Sequence, residues 1–111
     1  MTGQYESVVQ GEILKAYQNH PNIKLWRQNV GAARMSGGAF VRFGLPGQAD
    51  ISGIIAPSGR ALFIEVKSAT GRQSPKQVVF QRFVERYGAV YVLARGLSDV
   101  QKVLSDANIR P

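Results

Sequence analysis

Apolar residues at Tyr5, Val8, Val9, Ile13, Ala16 and Tyr17 recur at helical spacing, which predicts an amphipathic helix over 5–17. His20-Pro21-Asn22 ends it, because proline cannot continue a helix and restricts the residue before it. From Ile23 to Asn29 the pattern shortens to alternation, with Ile23, Leu25 and, less cleanly, Gln28 separated by polar neighbours, and this predicts a strand. Residues 31–38 hold three glycines with Arg34 and Ser36, a loop composition, and Ala39–Phe43 reads as a short strand leaving it. Ala49–Ile55 and Ala61–Val66 are β-rich runs on either side of Pro57-Ser58-Gly59, the signature of a hairpin. Ser74-Pro75-Lys76-Gln77 is a complete helix start, with Ser74 as N-cap, Pro75 in the first helical position and Gln77 closing a capping box. That helix is expected to run to about Tyr87 and stop at Gly88. Ala89–Leu93 is a continuous apolar strand suited to a sheet interior, and Ser98 is expected to cap a last helix ending near Asp106. The order α-β-β-β-α-β-α predicts an α/β fold, a mixed sheet flanked by helices, in which the last strand follows its helix as a crossover.

Length confines this pattern to one domain, since 111 residues leave no room for a second core, and 44% hydrophobic residues are ample for the first. No repeat, linker or low-complexity tract divides residues 1–111. No apolar run approaches the roughly 20 residues that cross a bilayer, and the polar N-terminus does not resemble a signal peptide. The expected setting is therefore the cytoplasm, without a membrane partner. Cysteine is absent, which excludes disulfides, zinc ribbons, thiol nucleophiles and iron–sulfur clusters, and the single histidine, His20, cannot build a histidine-rich metal site. No motif calls for an organic cofactor; Gly44–Gly47 lacks the Gly-Lys-Ser/Thr of a P-loop and reads as a turn that delivers Asp50.

Charge narrows the partner. Fourteen Lys+Arg against seven Asp+Glu give a formal charge of +7, and arginine predominates from mid-chain onward at Arg27, Arg34, Arg42, Arg60, Arg72, Arg82, Arg86 and Arg95. Forked guanidinium groups suit phosphate, so nucleic acid is the first expectation, against a merely solvated basic surface.

Scarce acids make their positions informative. Glu65 interrupts the apolar run Leu62-Phe63-Ile64-Glu65-Val66-Lys67, and strand alternation puts Glu65 and Lys67 on one face with Val66 on the other. A buried carboxylate costs several kcal/mol unless it is paired or coordinated. A hairpin turning about Pro57-Ser58 sets Asp50 directly opposite Glu65. Two opposed carboxylates repel unless a cation lies between them, and Mg²⁺, a hard ion content with two carboxylates, waters and phosphate oxygens, fits that position. Lys67 then stands beside the ion, placed to orient a water or to stabilise developing phosphorane charge. The competing reading is a structural ion-pair cluster of Lys67 with Asp50 and Glu65.

Pro46-Gly47-Gln48-Ala49-Asp50, followed at hairpin distance by Glu65-Val66-Lys67, resembles the P-D…(D/E)-x-K nuclease superfamily, whose core order is α-β-β-β-α-β. More narrowly, the chain is similar to VRR-NUC domains, the virus-type replication–repair nucleases. The similarity rests on Trp26-Arg27-Gln28-Asn29-Val30-Gly31, Phe43-Gly44-Leu45-Pro46-Gly47, Asp50-Ile51, Glu65-Val66-Lys67-Ser68 and Gly71-Arg72-Gln73-Ser74-Pro75-Lys76-Gln77. One departure is Gln48-Ala49, where the superfamily often has proline directly before the aspartate. The resemblance implies Mg²⁺ or Mn²⁺ held by Asp50, Glu65 and the main-chain carbonyl of Val66, with Lys67 as the catalytic lysine. It also implies an acid on the first helix. Glu6 and Glu12 flank the apolar face about equally, and Glu6 matches the family better within Tyr5-Glu6-Ser7-Val8-Val9-Gln10, with Glu12 the alternative. Gln77 has two candidate roles, closing the helix cap or reaching the metal or scissile phosphate.

Arg27, Asn29, Arg34, Arg42, Arg72 and Lys76 are the DNA-contact candidates. Arg27 and Asn29 compete with a role in bracing the following loop, and 31–38 reads either as a mobile basic loop over substrate or as a plain hairpin connection. Trp26 is expected in the core rather than as a stacking platform, and His20 on the surface. Together these readings imply a divalent-metal-dependent, structure-selective DNA endonuclease. Small stand-alone members of the family resemble Holliday-junction resolvases. One short chain offers one active site, so paired cuts in a four-way junction would need a two-fold homodimer. By analogy the setting is a bacterial or phage-infected cell. The alternatives are a nicking, flap or restriction-type nuclease on the same core, or a non-catalytic DNA-binding module.

Overall fold

A computed structural model describes residues 2–28, 31–34 and 40–109. Helix α1 (Thr2–Tyr17) begins one turn earlier than its apolar spacing suggests and ends ahead of Pro21. Strands β1 (Ile23–Arg27), β4 (Ile51–Ile55), β5 (Arg60–Val66) and β6 (Val90–Ala94) form one sheet in the order β1-β4-β5-β6. The first three run antiparallel, while β6 lies parallel to β5 after the crossover helix α2 (Pro75–Arg86). Helix α3 (Leu97–Asp106) completes the α/β domain, whose four-stranded mixed sheet is flanked by three helices. Between β1 and β4 the chain makes a separate antiparallel pair, β2 (Gly31–Arg34) with β3 (Phe40–Phe43).

Strand alternation sorts the side chains onto two faces. Leu62, Ile64 and Val66 of β5 pack with Ile51 and Ile55 of β4 and with Val90, Val92 and Ala94 of β6. Val9, Ile13 and Tyr17 of α1 and Val100 and Leu104 of α3 cover them. Full burial of each such side chain contributes about 1.5–3 kcal/mol. On the opposite face a smaller cluster joins Phe80 and Val84 of α2 to Tyr91 and Ala49, with Phe63 packed against it. The Phe63 and Phe80 rings meet edge to face at 5.2 Å, a favoured aromatic geometry.

The helix ends follow local chemistry. Ser74 Oγ accepts from the Gln77 amide (3.2 Å) and Gln77 Oε1 accepts from the Ser74 amide (2.8 Å), the reciprocal capping box the sequence predicts. α2 stops one residue short of Tyr87: Gly88, at φ 92°, lets the Gly88 amide reach Glu85 O and the Ala89 amide reach Val84 O, both at 3.0 Å.

Two expectations need correction. Ser98 does not cap α3; Gly96 is the N-cap and offers no side-chain acceptor, and Asp99 Oδ2 instead accepts from the Arg95 amide at 2.8 Å. The loop expected over 31–38 includes a strand, because Gly31–Arg34 gains its hydrogen bonds from β3, whose Phe-Val-Arg-Phe sequence supplies the β propensity that glycine and alanine lack. Among the described residues no helix is long and apolar enough to cross a membrane.

Candidate active site

The β4–β5 register, Ile51 opposite Ile64 and Ser52 opposite Phe63, continues one step to set Asp50 opposite Glu65 on the α2 face. Asp50 Oδ2 accepts from the Val66 amide at 2.8 Å, and the Gln28 amide donates to Asp50 O at 2.8 Å, so the aspartate is fixed from both neighbouring strands. The amide and carbonyl of one strand residue point to the same side, which directs the Val66 carbonyl toward Asp50 as well.

The turn before Asp50 is seated on α2. Gly47 has φ 75°, and a Cβ there would fall 2.3 Å from the Lys76 carbonyl oxygen, so only glycine permits that approach. Gln48, in the stretch that departs from the superfamily pattern, closes the turn instead: its Oε1 accepts from the Leu45 amide (3.1 Å) and its amide donates to Leu45 O (3.0 Å).

Glu65 is 3% exposed. Its Oε2 accepts from Gln77 Nε2 at 3.1 Å and lies 3.5 Å from Lys67 Nζ. Its Oε1 is buried without a hydrogen-bond partner. Gln77 closes the helix cap through its carbonyl oxygen, while its amide nitrogen holds Glu65, an expected metal ligand. Burial, then the charge of Asp50, pushes the Glu65 carboxyl up to about 7, against the opposing pull of Lys67. Asp50 is also raised, by burial first and the charge of Glu6 in lesser part, while the Val66 amide and Lys67 act the other way.

Glu6 comes from the opposite face, where the N-terminal turns of α1 reach round the sheet end; its Oε2 accepts from the Ser68 amide at 3.1 Å. Glu12 is exposed on the later part of α1. Sequence reading missed Arg95. Its Nη1 donates to Ser68 O and, at 2.8 Å, to Gly71 O, while Tyr5 OH donates to Arg95 O. This clamp holds the turn that follows Lys67, and it joins residues too distant in the chain for any local pattern to reveal. Ser52, Glu65 and Ser68 are the buried polar side chains among the described residues, and all belong to this site or border it.

The expected DNA contacts are dispersed. Arg72 and Lys76 are exposed on the approach to α2 and on its first turn, beside Gln77. Arg27, at the end of edge strand β1, hydrogen-bonds Gln10 of α1, a contact to the first helix and not to the loop that follows β1. Arg34 and Arg42 occupy register positions on the β2–β3 pair, and Asn29 lies outside the described residues. Trp26 is not in the core: it is 48% exposed, because no helix covers β1 on the α2 side of the sheet.

Among the described residues no group of three or more Asp, Glu, His or Cys side chains is arranged to hold a metal ion. A Mg²⁺ site does not require one, since one or two carboxylates with waters and substrate phosphate oxygens suffice. Two opposed carboxyls and a buried, unpartnered Glu65 Oε1 fit that demand. No protein-family model matches the chain, and neither does any curated protein.

Proposed function

We propose that the chain is a divalent-metal-dependent DNA endonuclease of the VRR-NUC type within the PD-(D/E)xK superfamily. The observation that carries this reading is the Asp50–Glu65 pair, mutually opposed, with Asp50 half-buried and Glu65 buried and left with an unpartnered Oε1 beside Lys67. A purely structural cluster has little reason to bury a carboxylate oxygen without a donor. Asp50, Glu65 and the Val66 carbonyl would hold Mg²⁺ or Mn²⁺, which when bound supplies Lewis-acid polarisation of the scissile phosphate.

The chain's own groups account for the rest. Gln77 fixes the Glu65 carboxylate, the Val66 amide fixes that of Asp50, and both are therefore oriented before substrate arrives. Lys67, mostly shielded from solvent, directs its ammonium to the carboxylate pair and is placed to stabilise charge developing on phosphorus and to hand a proton to the leaving oxygen. Glu6 and Arg95 keep the Ser68–Gly71 turn in place and so act on Lys67 by position. The +7 charge, with Arg72 and Lys76 exposed beside Gln77, supports a phosphate backbone partner bound in a salt-sensitive manner.

Branched DNA is the proposed substrate and a cytoplasmic two-fold homodimer the proposed form. The exposed stripe Val79, Phe83 and Tyr87 along α2 supports an assembly larger than one chain. The test is cleavage of labelled four-way junction, flap and linear duplex DNA with Mg²⁺, Mn²⁺ or EDTA, comparing wild type with Lys67→Ala. Paired junction cuts reduced about 10²- to 10³-fold in the variant are expected. Cutting of flaps or linear DNA alone keeps the nuclease and discards the resolvase; DNA binding without metal-dependent cutting replaces the enzyme with a binding module.

A further inference from the structure

The sheet face that carries Asp50 and Glu65 is unevenly covered. Helix α2 packs over Phe63 and Tyr91, whereas β1 at the sheet edge has no helix above it on that side. Trp26 stands opposite Ser52, which stands opposite Phe63, so the indole shares the face of the carboxylates. It sits one strand over and two residues along from Asp50, a backbone separation of about 8 Å from sheet spacings. An indole 48% exposed there is unlike the buried aromatics Phe80 and Tyr91 on the same face.

The other side of β1 has different chemistry. Between β1 and α1 runs a groove of about 570 Å³ with Lys15 and Arg27 along it and Lys24 at its rim, where alternation sets Lys24 on the face of Trp26, and among the described residues no carboxylate lines it. Among the described residues the ion pairs are Lys67–Glu65 and Lys102–Asp106, so these three cations are not neutralised by acids. Among the described residues Arg27 hydrogen-bonds a neutral amide, that of Gln10. A partner that satisfies both sides of β1 must bring negative charge to the groove and a flat apolar ring to the indole. A second copy of this +7 chain brings the wrong charge, and an intact duplex keeps its bases stacked inside. A single strand brings both.

We propose that β1 docks an unpaired segment of nucleic acid, one base stacking on Trp26 and the adjoining phosphates lying against Lys24 and in the Lys15–Arg27 groove, so that the strand enters the Asp50–Glu65 site from the sheet edge. The inference rests on the nuclease reading for its substrate and adds recognition through a single-stranded stretch, which among branched substrates favours a flap or splayed arm over a fully paired four-way junction.

Trp26 is the only tryptophan in the chain, so its emission reports this stacking directly. The full chain is titrated in EDTA with a fluorescein-labelled oligothymidylate, with the same strand carrying abasic sites, and with a blunt duplex, following both tryptophan emission and label anisotropy. The base-bearing strand quenches the emission; the abasic strand binds through charge and leaves it unchanged. Trp26→Ala weakens binding of the base-bearing strand by about 5- to 100-fold, the range expected for one stacked base, and Trp26→Phe retains most of the affinity. Lys15→Gln with Lys24→Gln lowers the slope of log affinity against log salt by about 0.7 for each phosphate that the variant no longer neutralises.

Equal quenching by the abasic strand or the duplex overturns the proposal, as does unchanged affinity in Trp26→Ala. A change in sedimentation of free Trp26→Ala also overturns it, by making this face an interface between copies. Quenching without metal-dependent cutting fails the nuclease reading alone, and cutting without quenching fails this inference alone.

Discussion

The two faces of the sheet are made by the same strands and do opposite things. On the α1/α3 side, Ile51, Leu62, Ile64 and Val92 are sealed into a continuous apolar layer. On the α2 side, residues adjacent to them in sequence present Asp50, Ser52 and Glu65, with only a small aromatic cluster to hold α2 in place. One strand can thus serve stability and chemistry because alternation separates the two. A costly arrangement that buries the Glu65 carboxyl beside half-buried Asp50 is tolerable on one face when the other is closely packed.

The contrast between the faces shows most plainly when a core residue is removed. Ile64→Ala, on the sealed face, is expected to destabilise the protein by about 2–5 kcal/mol in urea unfolding. Glu65→Gln, one residue away on the other face, should instead stabilise the metal-free protein at pH 8. That difference has a pH signature. The folded Glu65 carboxyl, raised from 4.5 to about 7, holds a proton that the unfolded chain releases. Its contribution is therefore fully present below about pH 4.5 and is lost as pH rises through about 7, on the order of 3 kcal/mol. Urea midpoints measured in EDTA should fall from pH 5 to pH 8 in wild type, and the slope should flatten in Glu65→Gln.

Two smaller effects lie where the chemical face meets α2. Gly47→Ala forces a left-handed backbone and a collision with the Lys76 carbonyl, and should cost about 1–3 kcal/mol while displacing Asp50. A thermal melt would register the first consequence, and loss of the rise in melting temperature that the proposed Mg²⁺ site predicts would register the second. Gln77→Ala removes half of a capping box and the donor to Glu65, for about 1 kcal/mol of stability. Its cleavage rate should drop more than its stability suggests, a disproportion read by comparing chemical denaturation with single-turnover cutting.

What the sequence made legible was whatever depended on near neighbours. The hairpin about Pro57-Ser58 follows from turn residues between two β-rich runs, and its register brings Asp50 opposite Glu65 without any knowledge of the helices. The α2 cap was readable for the same reason, since Ser74 and Gln77 lie within one turn. Trp26 was misjudged because its burial depends on whether a distant helix lies over the sheet edge, and periodicity cannot report that. Strand β2 was hidden because its hydrogen bonds come from β3 while its own Gly-Ala-Ala-Arg sequence has weak β propensity. At α3, Ser98 matched the helix-start pattern, yet Asp99 reaching back to the Arg95 amide lets the helix begin earlier, with Gly96 as its cap. Periodicity alone left Glu6 and Glu12 level and the family resemblance favoured Glu6; its contact with the Ser68 amide, 62 residues later, lies beyond any local pattern.

The Arg95 clamp also bears on the order in which the molecule acquires its parts during synthesis. Asp50, Glu65 and Lys67 leave the ribosome together, but the turn after Lys67 is fastened by a guanidinium made later, and Tyr5 must wait for a carbonyl 90 residues away. Contacts of such separation form only after the intervening loops have closed. A nascent or truncated chain lacking Arg95 would carry the carboxylates and the lysine without the frame that aligns them, so the last part of the site to be set is its scaffold.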